Sequence, residues 1–290
     1  MQLRGGKARA LAGKAVRKLW PNFRLSSFLL RSTGSRKMIT VNGRRMYVDL
    51  WDSAVSNHLF VHKTWEPEET QLVANLLKPG DVFVDIGANI GYFTLLASTS
   101  VGPAGRVFAF EPEPRNFALL CKNSQVNHCS NVRCEAKAVT NVNQPLEIHL
   151  SSFNFGDHRI FASHDDEEYN RGRQRTRTRI EGIALDSYLP PGSRVDFIKM
   201  DIQGAEYFAI QGMKRVLTDN PAVMLLIEFW PHGLREAGVE PSALLDEFAL
   251  LGLSPYRAEP GHIQALPREE LLHIPGDESV NLLLSRKEPA

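Results

Sequence analysis

Hydrophobic positions in this chain alternate between short apolar runs and longer segments in which apolar residues recur with helical spacing. The apolar runs predict strands over 82–86, 106–110, 132–139, 195–200 and 222–229. The helical spacing predicts helices over 66–77, 89–100, 114–127, 205–217 and 241–251. Segments 253–256 and 280–284 predict closing antiparallel strands. This alternation is typical of an α/β fold with a doubly wound, mainly parallel, seven-stranded sheet and helices on both faces.

The same pattern divides the chain into three parts. Residues 1–37 form a basic arm, 38–80 a lead-in with a strand and a helix, and 81–290 the main domain. Between the third and fourth strands, segment 151–180 is largely polar and interrupts the alternation. A loop of that length inside a compact domain is usually functional or disordered. We therefore predict a lid-like insertion over about 151–180 that folds over the ligand edge of the sheet.

A turn that contains glycines follows the first strand of the main domain. It runs Asp85-Ile86-Gly87-Ala88-Asn89-Ile90-Gly91, and Glu111 follows the second strand. Glycines let the backbone approach a ligand, and an acidic residue in that place accepts hydrogen bonds from ribose hydroxyls. A dinucleotide site requires G-x-G-x-x-G, but Asn89 stands where the second glycine would fall. Because Asn tolerates positive φ, the turn survives with less provision for a pyrophosphate, which favours S-adenosylmethionine.

The net charge of +1 conceals an asymmetry along the chain. Twelve of the 34 Lys and Arg residues precede Asp49, the first acidic residue. We interpret the basic arm first as a solvated tail, and second as a contact for an acidic membrane surface or RNA. Its run 26–30 is too short for a signal peptide, and no apolar run reaches the about 18 residues that cross a bilayer.

The number and spacing of the cysteines indicate the redox environment of the protein. Cys121, Cys129 and Cys134 are odd in number and lack C-x-x-C spacing, which argues against a disulfide framework and a zinc site. Buried thiols in a reducing compartment are the simpler interpretation, so we expect a cytoplasmic protein. The acidic run 164–168 does not have a spacing that would bring several side chains to one metal ion, so we expect no metal.

Three sequence blocks are specific when taken together. They are 84–94 around the glycine turn, 110–114 with Glu111, and 198–206, which reads Ile-Lys-Met-Asp-Ile-Gln-Gly-Ala-Glu. Over about 80–230 the chain resembles the FkbM family of S-adenosylmethionine-dependent methyltransferases. The resemblance implies the class I methyltransferase fold, which is Rossmann-like, and O-methylation of a hydroxyl, commonly on a sugar or natural product.

The resemblance also implies site residues. The cofactor-binding set is Asp85, Gly87, Ala88, Asn89, Gly91, Tyr92, Glu111, Pro112, Ala138 and Asp201. Within it, Glu111 would hold the ribose, Ala138 would border the adenine and Asp201 would face the reacting centre. Family members often have Glu where this chain has Gln203, so the role of a second carboxylate is not carried over there.

Methyl transfer to a hydroxyl requires in-line positioning and removal of the hydroxyl proton. The candidate bases are Asp201, Glu228 and His158. Glu228 ends an apolar strand, where an unpaired carboxylate is unfavourable, so it should have a partner or a role. Glu206 is a further candidate, although a charge in the first turn of a helix explains it equally well.

Arginines alternate along segment 171–179 and would share one face of an extended strand. Those proposed for a groove that binds an anionic acceptor are Arg173, Arg175, Arg177 and Arg179. An edge strand charged against aggregation is the alternative.

We expect an S-adenosylmethionine-dependent O-methyltransferase with a small-molecule or glycan acceptor. Nucleic acid is a less favoured partner, because segment 201–204 lacks the N/D-P-P-Y motif of base methylation. RNA ribose methylation through the basic arm stays open, as does a catalytically silent cofactor-binding module. The missing middle glycine argues against a nicotinamide oxidoreductase.

Overall fold

The computed structural model describes residues 35–152, 154–161, 175–259, 262–275 and 278–289. Of the basic arm, all but the last three residues lie outside these ranges. Within the described ranges, no helix combines the length and the apolar character that crossing a bilayer requires.

Strands form where apolar runs and alternating segments predict them, with additions at both ends of the chain. In chain order they are β1 (Arg36–Val41), β2 (Arg44–Asp49), β3 (Val82–Ile86), β4 (Arg106–Phe110), β5 (Val132–Glu135), β6 (Lys137–Val139), β7 (Pro145–Leu150), β8 (Thr176–Ile183), β9 (Phe197–Met200), β10 (Met224–Phe229), β11 (Ser254–Glu259), β12 (His262–Ala265) and β13 (Val280–Ser285).

Helices begin at favourable first-turn residues in several places, since Pro67, Pro114, Pro231 and Pro241 each occupy a first helical position. In chain order the helices are α1 (Val55–His62), α2 (Pro67–Leu76), α3 (Tyr92–Val101), α4 (Pro114–Val126), α5 (Leu185–Tyr188), α6 (Glu206–Gln211), α7 (Lys214–Asp219), α8 (Pro231–Glu236), α9 (Pro241–Leu250) and α10 (Arg268–Leu272).

The large sheet has the order β12-β11-β13-β10-β9-β3-β4-β5. Its strands from β10 to β5 are parallel, while β13, β11 and β12 add in antiparallel pairs. The predicted doubly wound, mainly parallel sheet is confirmed. It has eight strands rather than seven, because β12 pairs with β11 as a hairpin at the edge.

Both faces of the central strands are covered by apolar residues. On one face, Val84 and Ile198 belong to a cluster with residues of α6, α7 and α9. On the other, Phe83 and Phe197 stack with ring centroids 5.7 Å apart and join residues of α3 and the lead-in. Strands buried on both sides in this way explain why their sequences read as continuous apolar runs.

The lead-in forms a β1–β2 hairpin that is docked on α4. Asn123, fully buried in α4, accepts the backbone N–H of Tyr47 at 2.6 Å and donates to the carbonyl of Tyr47 at 3.1 Å. The same amide donates to the carbonyl of Ile90 at 2.8 Å. One side chain therefore joins the hairpin to the glycine turn. The strand predicted in the lead-in corresponds to β2, whereas the sequence pattern did not predict β1 or α1.

Two predicted elements are broken by tertiary contacts. The strand expected over 132–139 divides into β5, which continues the large sheet, and β6, which joins a separate sheet of order β6-β8-β7. The helix expected over 205–217 divides into α6 and α7 at Gly212. A Cβ at Gly212 would lie 1.9 Å from the carbonyl oxygen of Thr140, so the close approach of these segments requires glycine.

Candidate active site

A cavity of about 260 Å³ lies at the carboxyl ends of β3, β4, β9 and β10, the edge where open α/β sheets bind ligands. Its walls contain all the predicted site residues except Gly91. These are Asp85, Gly87, Ala88, Asn89, Tyr92, Glu111, Pro112, Ala138, His158, Asp201 and Glu228.

The glycine turn lies against the end of β9. Gly87 has a φ of 81°, and a Cβ there would lie 2.1 Å from the carbonyl oxygen of Asp201, so a larger residue would displace the backbone. Asn89 has a φ of 51°, as its tolerance of the left-handed region predicts. Gly91 has a φ of 91° and packs against Leu120. It shapes the start of α3 behind the cavity wall.

Glu111 follows β4 and is 5% exposed. Its Oε2 accepts the backbone N–H of Asn89 and its Oε1 that of Glu113, both at 2.8 Å. Burial raises the pKa of the Glu111 carboxyl to about 8, against the lowering effect of these two donors. Each carboxylate oxygen keeps a second lone pair, so the group can also accept hydrogen bonds from ribose hydroxyls.

Asp85 lies in β3 and is 1% exposed. Its Oδ2 accepts a hydrogen bond from the Thr94 hydroxyl at 2.6 Å. Burial raises the pKa of the Asp85 carboxyl, and the nearby Lys199 ammonium opposes that rise. The carboxylate therefore depends on α3 and β9 for its partners.

Lys199 is a buried cation in the otherwise apolar strand β9. Its Nζ lies 3.7 Å from Asp201 Oδ2 and 4.6 Å from the centroid of the Phe93 ring. Burial alone would lower the pKa of Lys199, but surrounding carboxylates reverse the shift and raise it. They belong to Asp201, Glu66, Asp85 and Glu228. This single ammonium thus faces an excess of negative charge.

Asp201 and Glu228 are joined by one amide. Gln203 Nε2 donates to Asp201 Oδ1 at 2.7 Å and to Glu228 Oε2 at 3.0 Å. Ser279 donates to Glu228 Oε1 at 2.7 Å. The prediction that Glu228 should have a partner is confirmed. The Asp201 side chain, which is 28% exposed, keeps contact with the cavity.

His158 brings an imidazole to the cavity from the predicted insertion. Its Nδ1 accepts the backbone N–H of Ser151 at 3.1 Å, so the neutral ring carries its proton on Nε2. Among the described residues, the buried Nε2 has no hydrogen-bond partner. Burial lowers the pKa of His158 to about 3, with the charges of Arg175 and Arg115 adding to the effect.

The backbone of Phe155 ties the insertion to the rest of the site. Its carbonyl accepts hydrogen bonds from the side-chain amides of Asn89 at 3.1 Å and Asn116 at 2.9 Å. Its N–H donates to Oδ1 of Asp52, a buried residue of the lead-in, at 3.0 Å. The insertion is therefore held against both the glycine turn and α4.

Comparison with known proteins identifies the fold's family. A family model described as "Methyltransferase FkbM domain" matches residues 85–250, more than half of the chain. The chain belongs to the FkbM methyltransferase family. The predicted family, fold class and cofactor are confirmed, and S-adenosylmethionine is the methyl donor of this FkbM-family enzyme.

Individual relatives are distant. The "2-O-methyltransferase NoeI" of Sinorhizobium fredii is 28% identical over 186 residues, covering 61% of this chain and 74% of the relative. The "Hexuronic acid methyltransferase AglP" of Haloferax volcanii is 27% identical over 182 residues, covering 61% and 64%. A crystal structure of "Methyltransferase FkbM" from Methylobacillus flagellatus is 17% identical, with a TM-score of 0.41, over 74% of this chain and 50% of that one.

The residues that line the cavity fit this cofactor. Glu111 supplies the acceptor that a ribose needs, and the carboxylates around Lys199 suit a sulfonium cation. Within the part of the chain that the structure describes, no three His, Cys, Asp or Glu side chains converge to hold a metal ion.

The described arginines of segment 175–179, in β8 and directly before it, are arranged differently from the predicted groove. Arg175 is buried and forms an ion pair with Asp157 at 2.7 Å, while Arg177 is 64% exposed and lies 3.8 Å from Glu147. Of the arginines that the structure describes here, including Arg179, none lines the cavity; Arg173 lies outside the described residues. The charged-edge interpretation stays a prediction: β8 pairs with β7 over residues 176–181 but with β6 only over residues 181–183, so among the described residues the half with Arg177 and Arg179 has one partner strand.

Three residues that line the cavity or hold its wall had no prediction: Lys199, Asn116 and Asp52. The sequence could have singled out Lys199, because a lysine inside the apolar strand β9 requires a charged or polar partner. No sequence pattern singles out Asn116 and Asp52, because they form hydrogen bonds to the backbone of Phe155, which is distant in sequence from both.

Proposed function

We propose that this FkbM-family enzyme transfers the methyl group of S-adenosylmethionine to a hydroxyl of a sugar, glycan or secondary metabolite. The observation that carries the proposal is the position of Asp201 and Glu228 in the same cavity as Glu111. In one cavity, Glu111 would offer an acceptor for ribose hydroxyls, and Asp201 and Glu228 would offer carboxylates for a hydroxyl proton.

The chain's residues would hold the cofactor at several points. Glu111 accepts the ribose hydroxyls, Ala138 and Pro112 border the base, and the turn from Asp85 to Gly91 surrounds the methionine portion. When bound, the cofactor supplies an electrophilic methyl group on a positively charged sulfur. The remaining task of the protein is to place a hydroxyl in line with that methyl and to accept its proton.

Asp201 is our proposed general base. It lies at the end of β9 beside the cavity, and Lys199 and Gln203 fix its two oxygens. Glu228 supports it through the shared Gln203 amide. Glu206 is fully buried, with one oxygen accepting the backbone N–H of Ile202, which suits a structural role in the first turn of α6.

His158 serves better as a hydrogen-bond donor than as a base. Because Nδ1 accepts the backbone N–H of Ser151, the neutral ring of this cavity-lining residue has its N–H at Nε2, which lacks a partner among the described residues. An acceptor atom of the cofactor or of the methyl acceptor would satisfy this buried donor. This assigns His158 to binding and leaves proton removal to the carboxylates.

The acceptor class rests on relatives whose names describe a 2-O-methyltransferase and a hexuronic acid methyltransferase. The described cations that line the cavity are Lys137 and Lys199, and the latter is already surrounded by carboxylates. An uncharged hydroxyl compound is therefore our first proposal and an anionic sugar the second. Membrane contact through the basic arm stays a prediction.

The decisive experiment uses isotopically labelled S-adenosylmethionine and purified full-length protein. The acceptor panel contains neutral oligosaccharides, uronic acids, hydroxylated secondary metabolites and RNA. We expect S-adenosylhomocysteine and an O-methylated product with a sugar or metabolite, and loss of product in Asp201→Asn. The control is Asp246→Asn, on the exposed face of α9.

Other results of these assays would favour a different function. Product with RNA alone would favour ribose methylation. Calorimetric binding of S-adenosylhomocysteine without turnover on any class would favour a silent binding module. Binding of NADH in its place would contradict the proposal altogether.

A further inference from the structure

One tryptophan of the lead-in forms part of the cavity wall. Trp65 lies between α1 and α2, where it packs against an apolar cluster that includes residues of α3 and is only partly buried. The other described Phe, Tyr and Trp residues of that wall are at most 6% exposed; they are Tyr92, Phe93, Phe110 and Phe155. Among the described aromatic rings of this kind, Trp65 therefore has the most surface left for a ligand to cover.

Hydrogen bonds fix the backbone of Trp65 relative to the cofactor turn. The Thr70 hydroxyl donates to the carbonyl of Trp65 at 2.7 Å, so in its 3.1 Å contact with the Tyr92 hydroxyl the donor is Tyr92. Tyr92 Oη in turn accepts a hydrogen bond from Asn42 Nδ2 at 3.1 Å. Because Tyr92 begins α3 directly after the glycine turn, this chain of hydrogen bonds joins Trp65 to that turn and to the β1–β2 hairpin.

The residue after Trp65 is close to the carboxylates proposed for proton removal. Glu66 acts electrostatically on the Lys199 ammonium, which lies 3.7 Å from Asp201. Glu66, Lys199, Asp201 and Glu228 also line a second, smaller pocket together. The described lining of that pocket contains none of the residues proposed for the ribose and the base. Under the proposed function, Trp65 therefore belongs to the part of the wall that borders the methyl acceptor.

We propose that Trp65 determines acceptor specificity, and that the acceptor is a pyranose whose C–H face lies on the indole ring while one hydroxyl reaches Asp201. The C–H groups of a pyranose carry partial positive charge, which the negative face of an aromatic ring attracts. Its hydroxyls donate hydrogen bonds to carboxylates such as those of Asp201 and Glu228. The inference rests on the proposed function, which makes Asp201 the group that receives the hydroxyl proton.

A nucleobase also stacks on tryptophan, and the charges of the cavity favour the pyranose over RNA. An RNA strand brings phosphates, which proteins bind through several Lys and Arg residues. Of the described residues that line the cavity, the Lys and Arg side chains are Lys137 and Lys199, and Lys199 forms an ion pair with Asp201. A neutral pyranose needs no such set of cations.

The test is saturation-transfer difference NMR on full-length protein saturated with S-adenosylhomocysteine. The probes are the methyl glycosides of glucose, galactose, mannose and fucose, with cytidine monophosphate as the RNA probe. Sorbitol is the control ligand, because it has hydroxyls but no ring face. We expect signals from the ring C–H protons of at least one glycoside and none from sorbitol.

Substitutions assign that binding to the indole ring. The dissociation constant of the bound glycoside should rise about tenfold in Trp65→Leu, the scale of a lost aromatic contact. It should rise less in Trp65→Phe, which keeps an aromatic face. Trp51→Leu, at an exposed position outside the described cavity wall, is the matched control and should leave it unchanged.

Two results would overturn the inference while the methyltransferase function stands. They are full glycoside affinity in Trp65→Leu, and no glycoside signal from wild-type protein that binds S-adenosylhomocysteine. Binding of cytidine monophosphate in place of the glycosides would also overturn it, in favour of RNA. If wild-type protein does not bind S-adenosylhomocysteine, it is the proposed function that fails.

A second measurement covers a Trp65→Leu variant that does not fold. Wild-type protein labelled with 5-fluorotryptophan gives a fluorine resonance for Trp65, which is assigned by its loss in Trp65→Phe. A bound glycoside should shift this resonance, and an unshifted resonance would contradict the inference.

Discussion

Glu111, Asp85 and Lys199 are ionisable side chains withdrawn from water at one edge of the sheet. A charge in that environment is unfavourable unless it has partners, and each of these residues has them within the fold. Backbone N–H groups hold Glu111, a hydroxyl holds Asp85, and carboxylates surround Lys199. All three residues also line the cavity, so we propose that a bound ligand takes further hydrogen bonds or ion pairs from them.

Glu111 should couple cofactor binding to proton release. Its pKa of about 8 leaves the free carboxyl mainly protonated at pH 7, whereas ribose hydroxyls favour the ionised form. Affinity for S-adenosylhomocysteine should therefore rise as pH increases toward 8. Calorimetry at pH 7 in buffers of different ionisation enthalpy should detect the released proton.

Substitution of Glu111 tests the same proposal that its carboxylate binds the ribose. Glu111→Ala should weaken binding by about 1–3 kcal/mol, the loss typical of hydrogen bonds to a charged group, and should abolish the proton release. Glu147→Ala, at an exposed position of β7, is the control. Full affinity in Glu111→Ala would sink the ribose assignment.

His158 should make the protein less stable in acid. Its folded pKa of about 3 lies below the ordinary value of 6.5, so below pH 6.5 the unfolded chain binds a proton that the native chain does not. Stability is therefore lost as pH falls from 6.5 towards 3. Between pH 7 and 5 the wild type should lose about 2 kcal/mol more unfolding free energy than His158→Asn. Urea unfolding at both pH values measures the difference, and exposed His273→Asn should behave like wild type.

At the scale of elements, the described part of the insertion is fixed by backbone contacts from three directions. Asn89 comes from the glycine turn, Asn116 from α4 and Asp52 from the lead-in, and all three bond to Phe155. Asp157, two residues further, bonds to Arg159 and Arg175. We therefore expect opening of this segment to require the loss of several hydrogen bonds at once. Its role as a lid stays a prediction.

Asn116→Leu should loosen the described segment around Phe155. The substitution removes one donor to the Phe155 carbonyl while Asn89 keeps the other. Amide hydrogen exchange over residues 154–160 should accelerate about fivefold to tenfold, the effect of losing about 1 kcal/mol of local stability. Exposed Asn75→Leu in α2 is the control, and unchanged exchange in Asn116→Leu would contradict the tether.

At the scale of the molecule, one hairpin outside the sheet is joined to the centre of the site. The β1–β2 hairpin docks on α4, and α4 begins directly after Glu111 and Glu113. Asn123 connects the hairpin with the glycine turn through Tyr47 and Ile90. The lead-in is therefore part of the framework that positions the cofactor edge.

Asn123→Ala should destabilise the whole chain. The substitution removes this partner from the half-buried backbone N–H of Tyr47 and the buried carbonyl of Ile90, which typically costs about 2–3 kcal/mol in unfolding free energy. Urea unfolding at neutral pH measures the loss. Exposed Asn75→Ala should change stability by less than about 0.5 kcal/mol.

Local sequence pattern was sufficient to predict the main strands and helices and the conformation of the glycine turn. Strand and helix periodicities are properties of a few consecutive residues, and the conformations of Gly87 and Asn89 follow from their own steric freedom. Glu111 could be placed because it directly follows a strand whose end must lie at the ligand edge. For these features the physical cause lies within the segment itself.

Tertiary structure decided the features that depend on partners distant in the chain. Asp157 turned Arg175 into a buried ion pair, and Ser151 fixed the tautomer of His158. The backbone of Thr140 lies so close to Gly212, where the helix divides, that only glycine fits there. The sequence alone determined which residues reach the edge of the sheet, because periodicity is local. Their protonation, partners and direction depended on which segments the folded chain brings together.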